Sequence, residues 1–362
     1  MKRTIKSIAA LAMLAVSAPA FAGGVVVAQN GDSKLKFETE VFSDLTQVKT
    51  THLTPNVDTK KLGLSVSRAY FTGKYSFNND WMMRVTTDVV LTDAVNAQGN
   101  VVKKNNNIFL KYAYLQGKLY GDAVVLRLGQ SHTPWIDHEE HLWAHRYISP
   151  VLIDSNHYDA SSDLGIGFKG KVLDGLANYW FTYTNGRGYD HPKITGSTMD
   201  FDSRIGLNLL PGLTLDFQYR NGYKGTKQTP QPAATIATKS VLYQTMATYG
   251  MGHDFRIGAN YAQNTVTPRG GIKVKDTAYS LWGWGKVTDQ FGALARYEYV
   301  KNDKLAATQK KNTRYVAGVE YFPTKNVAMS LVYDVTNNKI AGLWNPTKGK
   351  VTKIGLYTNF KY

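Results

Sequence analysis

The sequence predicts an all-β protein that crosses a membrane as an up-and-down antiparallel β-barrel of sixteen strands with a long third loop. Polar and apolar residues alternate along most of the chain, which is the period of strands with lipid on one face and water on the other. The composition of 23 Tyr, 14 Phe, 7 Trp and 32 Gly against 11 Pro is typical of many short strands joined by turns. Beyond residue 22, no apolar run approaches the roughly 20 residues of a membrane-spanning helix. A membrane chain of this kind must close into a barrel, because hydrocarbon tolerates no unpaired strand edge.

The first 22 residues have the pattern of a secretory signal peptide. Lys2, Arg3 and Lys6 precede an apolar run at 8–16, and Ala20-Phe21-Ala22 forms a small-residue cleavage site. We therefore expect residues 1–22 to be removed and residues 23–362 to form a single barrel domain in the outer membrane of a Gram-negative bacterium. The chain has no cysteine, which excludes a disulfide framework and zinc sites built on thiolates.

Sixteen alternating segments follow in order. They cover 34–41, 62–77, 81–91, 108–119, 123–130, 164–172, 177–185, 201–209, 213–220, 241–249, 255–263, 277–287, 291–300, 315–322, 327–336 and 350–362. Short turns, such as 78–80 and 210–212, alternate with long polar loops, such as 222–239 and 301–312. This alternation is typical of the periplasmic turns and extracellular loops of a membrane barrel. Residues 24–30 are expected to be either a tail or part of the first strand.

The final strand shows the alternation most clearly. Ile354, Leu356 and Phe360 share one face with the terminal Tyr362, while Lys353 and Lys361 lie on the other. The segment resembles the closing strand of a bacterial outer-membrane barrel, with lipid outside and water inside.

Basic residues recur on the face opposite the apolar rows. Arg84, for example, lies between Met83 and Val85. Because an arginine at mid-depth in lipid costs roughly 2 to 4 kcal/mol, these side chains are expected in the lumen. The predicted anion-attracting residues of the pore are Arg84, Arg127, Arg204, Arg220, Arg256, Arg296, Arg314, Lys169 and Lys171. Pairing across the wall is the alternative, since the acidic residues Glu38, Asp88, Asp216, Glu298 and Glu320 share the inward face.

Arg68 needs a local exception to point inward. Leu62, Leu64 and Val66 have the same parity as Arg68. A β-bulge must therefore change the face of the strand between Val66 and Arg68.

Five of the eight histidines lie in the long segment 131–163. With Arg146 they form a candidate constriction loop: His132, His138, His141, His145 and His157. On a helical turn, His138, His141 and His145 would share a face. The segment is not a zincin motif, since Leu142 stands four residues after His138, and we expect no metal. Three interpretations remain: polar loop residues facing water, a loose metal site, or a pH-responsive constriction in which protonation between about pH 7 and 5 increases anion current.

A family resemblance supports this arrangement. The run Leu126-Arg127-Leu128-Gly129-Gln130-Ser131-His132-Thr133-Pro134-Trp135, continued by residues 163–171 and 185–188, is similar to the phosphate-selective porin O/P family. The resemblance implies a sixteen-stranded trimeric barrel whose third loop folds inward, with basic residues that pass anions along the lumen. The chain departs from the family at Ser162, where members often carry a basic residue, and Arg146 is the only arginine of its loop.

The sequence thus predicts a porin for passive diffusion of small hydrophilic solutes, preferentially anions such as phosphate. Its expected partners are the lipid bilayer, small solutes and further copies in a homotrimer; no nucleic acid, cofactor or catalytic residue is expected. One alternative is a general or sugar-type porin in which Trp135, Trp143 and Tyr147 form a stacking track. Another is an outer-membrane hydrolase, although no nucleophile elbow is present.

Overall fold

A computed structural model describes residues 24–51, 58–95, 101–189, 198–224, 238–252, 254–268, 271–303, 309–341 and 349–362. The predicted signal peptide lies outside these residues. The strands are β1 Val25–Asn30, β2 Ser33–Thr51, β3 Asp58–Ser76, β4 Trp81–Val95, β5 Val101–Tyr120, β6 Val124–His132, β7 Ser162–Val172, β8 Ala177–Thr184, β9 Asp200–Leu210, β10 Leu213–Gly222, β11 Thr238–Met251, β12 Phe255–Pro268, β13 Val274–Lys286, β14 Phe291–Asn302, β15 Gln309–Thr324, β16 Val327–Ala341 and β17 Lys350–Lys361. Between β6 and β7 lie the helices α1, Ile136–Trp143, and α2, Leu152–Ser155.

Strands β2 to β17 form a closed antiparallel barrel of sixteen strands, as the alternation predicts. Each strand pairs with the next, and β17 closes the barrel by pairing with β2 from Lys350 opposite Thr51 to Lys361 opposite Glu40. Two backbone hydrogen bonds of 2.9 Å between Thr39 and Tyr362 extend this seam to the last residue. No edge of the sixteen-stranded sheet remains open, which is the condition for crossing hydrocarbon.

The segment 24–30 is neither a tail nor part of the first barrel strand. It forms β1, a separate short strand that pairs with the start of β2 from Val25 opposite Phe37 to Asn30 opposite Ser33. The pairing of β17 with β2 ends at Glu40, and Tyr362 extends it to Thr39. Strand β1 therefore covers the part of β2 that β17 does not reach. Other strands run beyond their predicted limits: β5 begins at Val101 rather than 108, and β6 ends at His132 rather than 130.

The two faces of the wall differ in burial. Along β14, Phe291, Ala293 and Tyr297 are exposed on the outer face, whereas Leu294 and Arg296 are buried on the inner face. At the closing strand, Ile354 and Phe360 are exposed while Tyr357 is buried, as the predicted faces require. The exposed apolar rows therefore form the lipid-facing surface, and the polar rows line the interior.

Bulges in β3 and β5 change the faces of their side chains. In β3 the pairing skips Ser67, since Phe42 lies opposite Arg68 and Ser43 opposite Val66. The bulge expected at Arg68 is therefore present. In β5 a second bulge skips Lys111, because Thr86 lies opposite Tyr112 and Thr87 opposite Leu110.

The predicted turns follow their local chemistry. The side-chain oxygen of Asn78 accepts hydrogen bonds from the backbone N–H groups of Asp80 and Trp81, at 2.9 and 2.8 Å. Gly212 has φ +81°, a conformation that glycine adopts without strain. Within the described ranges, neither helix is long and apolar enough to span a bilayer.

Candidate functional site

The segment 133–161, here called the inner loop, packs against the inner face of the barrel. His138 lies 3.0 Å from Asp216 of β10, and the Trp284 indole of β13 donates to the Leu142 carbonyl at 2.9 Å. Arg296 of β14 donates to the Pro150 carbonyl at 3.1 Å, and the Tyr147 hydroxyl lies 2.6 Å from Ser330 of β16. The inner loop leaves the wall at β6 and contacts strands on the far side, so it crosses the lumen.

An apolar core holds the inner loop in place. Its fully buried residues are Trp135, Ile136, Trp143, Val151, Leu152 and Ile153. Trp143 meets Trp282 of β13 edge to face, with ring centroids 5.7 Å apart. The alternative in which Trp135, Trp143 and Tyr147 form a stacking track along the pore is therefore wrong, since these rings fill the contact between the inner loop and the wall. The run Val151-Leu152-Ile153 is the sequence signal that could have indicated this core.

The histidines do not share a face. Helix α1 ends at Trp143 and Ala144 has φ 61°, so His145 leaves the helical path. His138 reaches Asp216, His145 lies 2.7 Å from Glu320 of β15, and the His141 side chain is 77% exposed. His157 is exposed at the far end of the inner loop. Within the described residues, no group of three or more His, Asp and Glu side chains is arranged to hold a metal ion.

Two of these histidines are fixed by their partners. The ring nitrogens of His145 face two acceptors, the Trp143 carbonyl at 2.5 Å and the Glu320 carboxylate at 2.7 Å. Burial lowers the pKa of His138, even though Asp216 raises it, and Arg204 lowers it further.

Four predicted pore cations are paired with acidic neighbours. Arg204 lies 2.6 Å from Asp216, Arg220 lies 2.6 Å from Asp200, and Arg314 lies 2.7 Å from Asp334. Arg296 pairs with Glu298. Charge pairing across the wall, the alternative left open by the sequence, holds at these four positions.

The other predicted cations lack an acidic partner in an ion pair within the described part of the chain. Arg84 lies 4.7 Å over the Tyr112 ring and hydrogen-bonds to Thr86 at 3.0 Å. Lys169 lies 5.0 Å over Trp180, Arg256 is partly exposed at the start of β12, and Lys171 is exposed near the end of β7. Arg127 is buried between the rings of Tyr114 and Trp180, 4.7 Å from each.

Sequence alternation missed Lys111. Lys111 is the bulged residue of β5, and its ammonium group lies 2.5 Å from the Ser161 hydroxyl at the end of the inner loop. The same group lies 3.7 Å over the Tyr189 ring. The run Phe109-Leu110-Lys111-Tyr112 hides this orientation, because the bulge turns two successive side chains inward.

A cavity of about 430 Å³ separates the inner loop from the wall formed by β2 to β5 and β17. Its basic lining residues are Lys74, Arg84, Lys111, Arg146 and Lys361, and its acidic ones are Glu38, Glu40, Asp137 and Glu140. Three ion pairs remove most of this charge: Lys74 with Glu38 at 2.7 Å, Lys361 with Glu40 at 2.9 Å, and Arg146 with Glu140 at 2.6 Å. Arg84 and Lys111 then remain against Asp137.

Comparisons with known proteins agree with the barrel. No protein-family model matches the sequence, and no curated protein matches it. Among solved structures, the anion-selective porin from Comamonas acidovorans has a TM-score of 0.66 at 14% identity, covering 91% of this chain and all of that one. This chain therefore shares the fold of that porin.

Two further structures show the same relationship. The outer-membrane channel DcaP of Acinetobacter baumannii has a TM-score of 0.63 at 11% identity, over 92% of this chain and 99% of that chain. Salmonella typhi OmpF in complex with daunomycin has a TM-score of 0.61 at 14% identity, over the same shares. At this identity the common property is the fold.

Glu139 is the buried acid of α1 on the side away from the cavity. Its side chain accepts a hydrogen bond of 2.7 Å from the Trp135 indole. Burial raises its pKa to about 7, although Arg296 and the bond from Trp135 lower it. The folded chain therefore holds a proton here that the unfolded chain releases above about pH 4.5.

We expect Glu139→Gln to be more stable than the wild type at pH 8 by up to about 3 kcal/mol, and equally stable near pH 4.5. Because the folded-state pKa is raised, the wild type loses stability as the pH rises through this window, and the amide does not titrate. Denaturant unfolding of the barrel in detergent at several pH values measures the difference.

Asp137→Asn provides a control with the opposite sign. The Asp137 pKa lies well below its usual range, because His132, His141, Arg127 and Lys169 outweigh the effect of burial. That variant should be less stable than the wild type at pH 7. A Glu139→Gln barrel with an unchanged pH slope would contradict the expectation.

Proposed function

We propose that this chain is an outer-membrane porin through which small hydrophilic solutes diffuse passively, with a preference for anions. The charge balance of the side chains that line the cavity carries the proposal: after the ion pairs are formed, Arg84 and Lys111 face one remaining side-chain carboxylate, Asp137. Cations without partners in a narrow aqueous passage lower the entry barrier for anions without holding them tightly. The inner loop is the constriction, since it crosses the lumen and forms one side of the cavity.

Several finer assignments belong to this proposal. The resemblance of residues 126–135 and 163–171 supports membership of the phosphate-selective porin O/P family. The same resemblance supports a Gram-negative outer-membrane location after removal of residues 1–22. It also supports assembly as a homotrimer and phosphate as one of the transported anions. The solved structure from Comamonas acidovorans, described as anion-selective, supports the preference for anions.

The general or sugar-type porin is the second candidate. Phe42, Tyr70 and Tyr112 line the cavity and offer aromatic surface to a neutral solute. Phe42 and Tyr70 pack edge to face, with centroids 5.8 Å apart. These three rings do not form the long stacking track that the sugar-type alternative places on the inner loop. The unpaired cations of the cavity therefore favour the anion porin over the sugar-type porin.

An outer-membrane hydrolase is the third candidate, and the contact between Lys111 and Ser161 bears on it. Lys111 lies within hydrogen-bond distance of Ser161, as in a Ser–Lys pair. The Lys111 ammonium group also lies 3.7 Å over the Tyr189 ring, and the sequence contains no nucleophile elbow.

The test is the zero-current potential of the reconstituted protein in a planar bilayer under a potassium chloride gradient. We expect chloride to be about three times as permeant as potassium, because one uncompensated charge in a water-like passage contributes roughly 1 kcal/mol before screening. Inorganic phosphate, added against constant chloride, measures whether oxyanions reduce the chloride current. A potential of the cation-selective sign, or none, would overturn the anion preference.

A further inference from the structure

Arg84, Arg127 and Lys169, which have no acidic partner among the described residues, stand with Lys111 on one sector of the wall. Arg84 lies on β4, Arg127 on β6 and Lys169 on β7. Each is held against an aromatic ring, and Arg127 is held between two. Ring contacts fix the direction of these side chains but do not neutralise their charge. This sector therefore differs from the opposite wall, where Arg296 and Arg314 are matched by carboxylates.

His132 connects this basic sector to the inner loop. Its ring stacks on Tyr112 with centroids 3.7 Å apart. A guanidinium nitrogen of Arg127 lies 3.2 Å from Nδ1 of His132. Because guanidinium can only donate, Nδ1 must accept, and a neutral His132 carries its proton on Nε2. That Nε2 atom points towards Asp137, 3.5 Å from Oδ1.

Asp137 is the carboxylate that faces this sector. It lies in the first turn of α1, and its Oδ1 is 3.6 Å from Nδ1 of His141 as well as 3.5 Å from His132. Within the described residues, no Lys or Arg nitrogen approaches it within ion-pair distance. Asp137, Arg84 and His132 all line the same cavity, so solutes in the passage reach the place that this carboxylate occupies.

We propose that His132, Arg84, Arg127 and Lys169 form a binding site for a small carboxylate, and that Asp137 occupies it as a resident ligand attached to the inner loop. A solute carboxylate in the passage competes with the Asp137 side chain for the same N–H groups and the same positive field. Asp137 thereby lowers the affinity of the site for solute anions, because each solute must displace the Asp137 carboxylate. Anions therefore pass through the site without being held tightly. The inference rests on the porin function proposed above and assigns one residue as its determinant of selectivity.

The low pKa of Asp137 supports this assignment. Burial alone raises the pKa of a carboxyl group, yet His132, His141, Arg127 and Lys169 together bring it well below its usual range. A site that stabilises the ionised form of one carboxylate will stabilise another that reaches the same position.

The test compares acetate binding in Asp137→Asn and Glu140→Gln. Both variants replace a carboxyl group of α1 with an amide, but Glu140 pairs with Arg146 and not with the basic sector. Sodium acetate is titrated into a constant chloride current through the reconstituted full-length protein. We expect Asp137→Asn to lower the acetate concentration for half-inhibition at least about threefold, because an uncharged amide competes weakly for cations. Glu140→Gln should shift it less than half as far.

Two further variants serve as controls for the comparison of acetate binding. Asp137→Glu keeps the resident carboxylate and should lie within about twofold of the wild type. Arg84→Gln leaves the inner loop intact and should raise the half-inhibiting acetate concentration, which tests the site even if Asp137→Asn fails to fold. Equal shifts in Asp137→Asn and Glu140→Gln, or no effect of Arg84→Gln, would overturn the inference.

The two proposals fail in different ways. If the wild type passes no current, or is cation-selective, the porin proposal fails in its own experiment. If the wild type is an anion-preferring channel, but Asp137→Asn and Glu140→Gln shift the half-inhibiting acetate concentration equally, only the role assigned to Asp137 is overturned.

Discussion

Replacing Trp143 with alanine is expected to release the inner loop and to raise the single-channel conductance. Trp143 is fully buried, packs against Trp282, and lies with its ring 5.2 Å from the Arg296 guanidinium. Removing so large a buried side chain costs about 3 to 5 kcal/mol, through lost transfer free energy and the cavity left behind. This loss falls on the contact between the inner loop and β13, so the inner loop should detach before the barrel unfolds.

Conductance in planar bilayers and denaturant unfolding followed by tryptophan fluorescence measure the two effects. Leu281→Ala is the matched control, since Leu281 precedes Trp282 on β13 but is 59% exposed on the outer face. It should leave the conductance at the wild-type value. If Trp143→Ala folds with normal conductance, the apolar core does not hold the inner loop in the lumen.

Replacing Arg220 with methionine is expected to destabilise the end of the inner loop by about 3 to 5 kcal/mol at pH 8, because buried carboxylates lose their cation. Arg220 is 4% exposed and lies 3.1 Å from Asp159 of the inner loop and 2.6 Å from Asp200 of β9. Asp202 is the third carboxylate near it, bonded to Gln218 at 3.0 Å. Without the guanidinium, these three acids repel one another at close range.

The effect of Arg220→Met should shrink as the pH falls. Neighbouring carboxylates raise one another's pKa, so the folded variant binds protons that the unfolded chain has already released, and stability returns on acidification. Unfolding measured at pH 8 and at pH 5 tests the sign. Arg220→Lys keeps the charge and should lose less than half as much stability. A loss that is equal at both pH values would contradict the electrostatic explanation.

The barrel itself follows from local information. Alternation depends only on neighbouring residues, and closure follows from the absence of open edges in hydrocarbon. For this reason the strand count, the turns at Asn78 and Gly212, and the faces of the closing strand all agree with the sequence. Even the bulge before Arg68 was detectable, because an arginine with the parity of three apolar residues is inconsistent with a regular strand.

The arrangement inside the barrel depends on contacts between distant residues. His145 meets Glu320 across 175 positions, and the partner of Trp143 is Trp282. Spacing alone placed three histidines on one face, but α1 ends at Trp143, and His138 and His145 turn towards different strands. Lys111 remained hidden because its bulge is fixed by its pairing partners on β4.

The sequence by itself determined a sixteen-stranded membrane barrel and the strand faces on which its cations lie, since the two-residue period and the cost of charge in lipid act at every position. Only the tertiary structure decided which cations keep an uncompensated charge. Arg204, Arg220, Arg296 and Arg314 meet carboxylates, whereas Arg84, Lys111, Arg127 and Lys169 meet aromatic rings. Charge balance in a lumen is set by distances of a few ångströms between strands far apart in the chain, and a strand pattern contains no such distances.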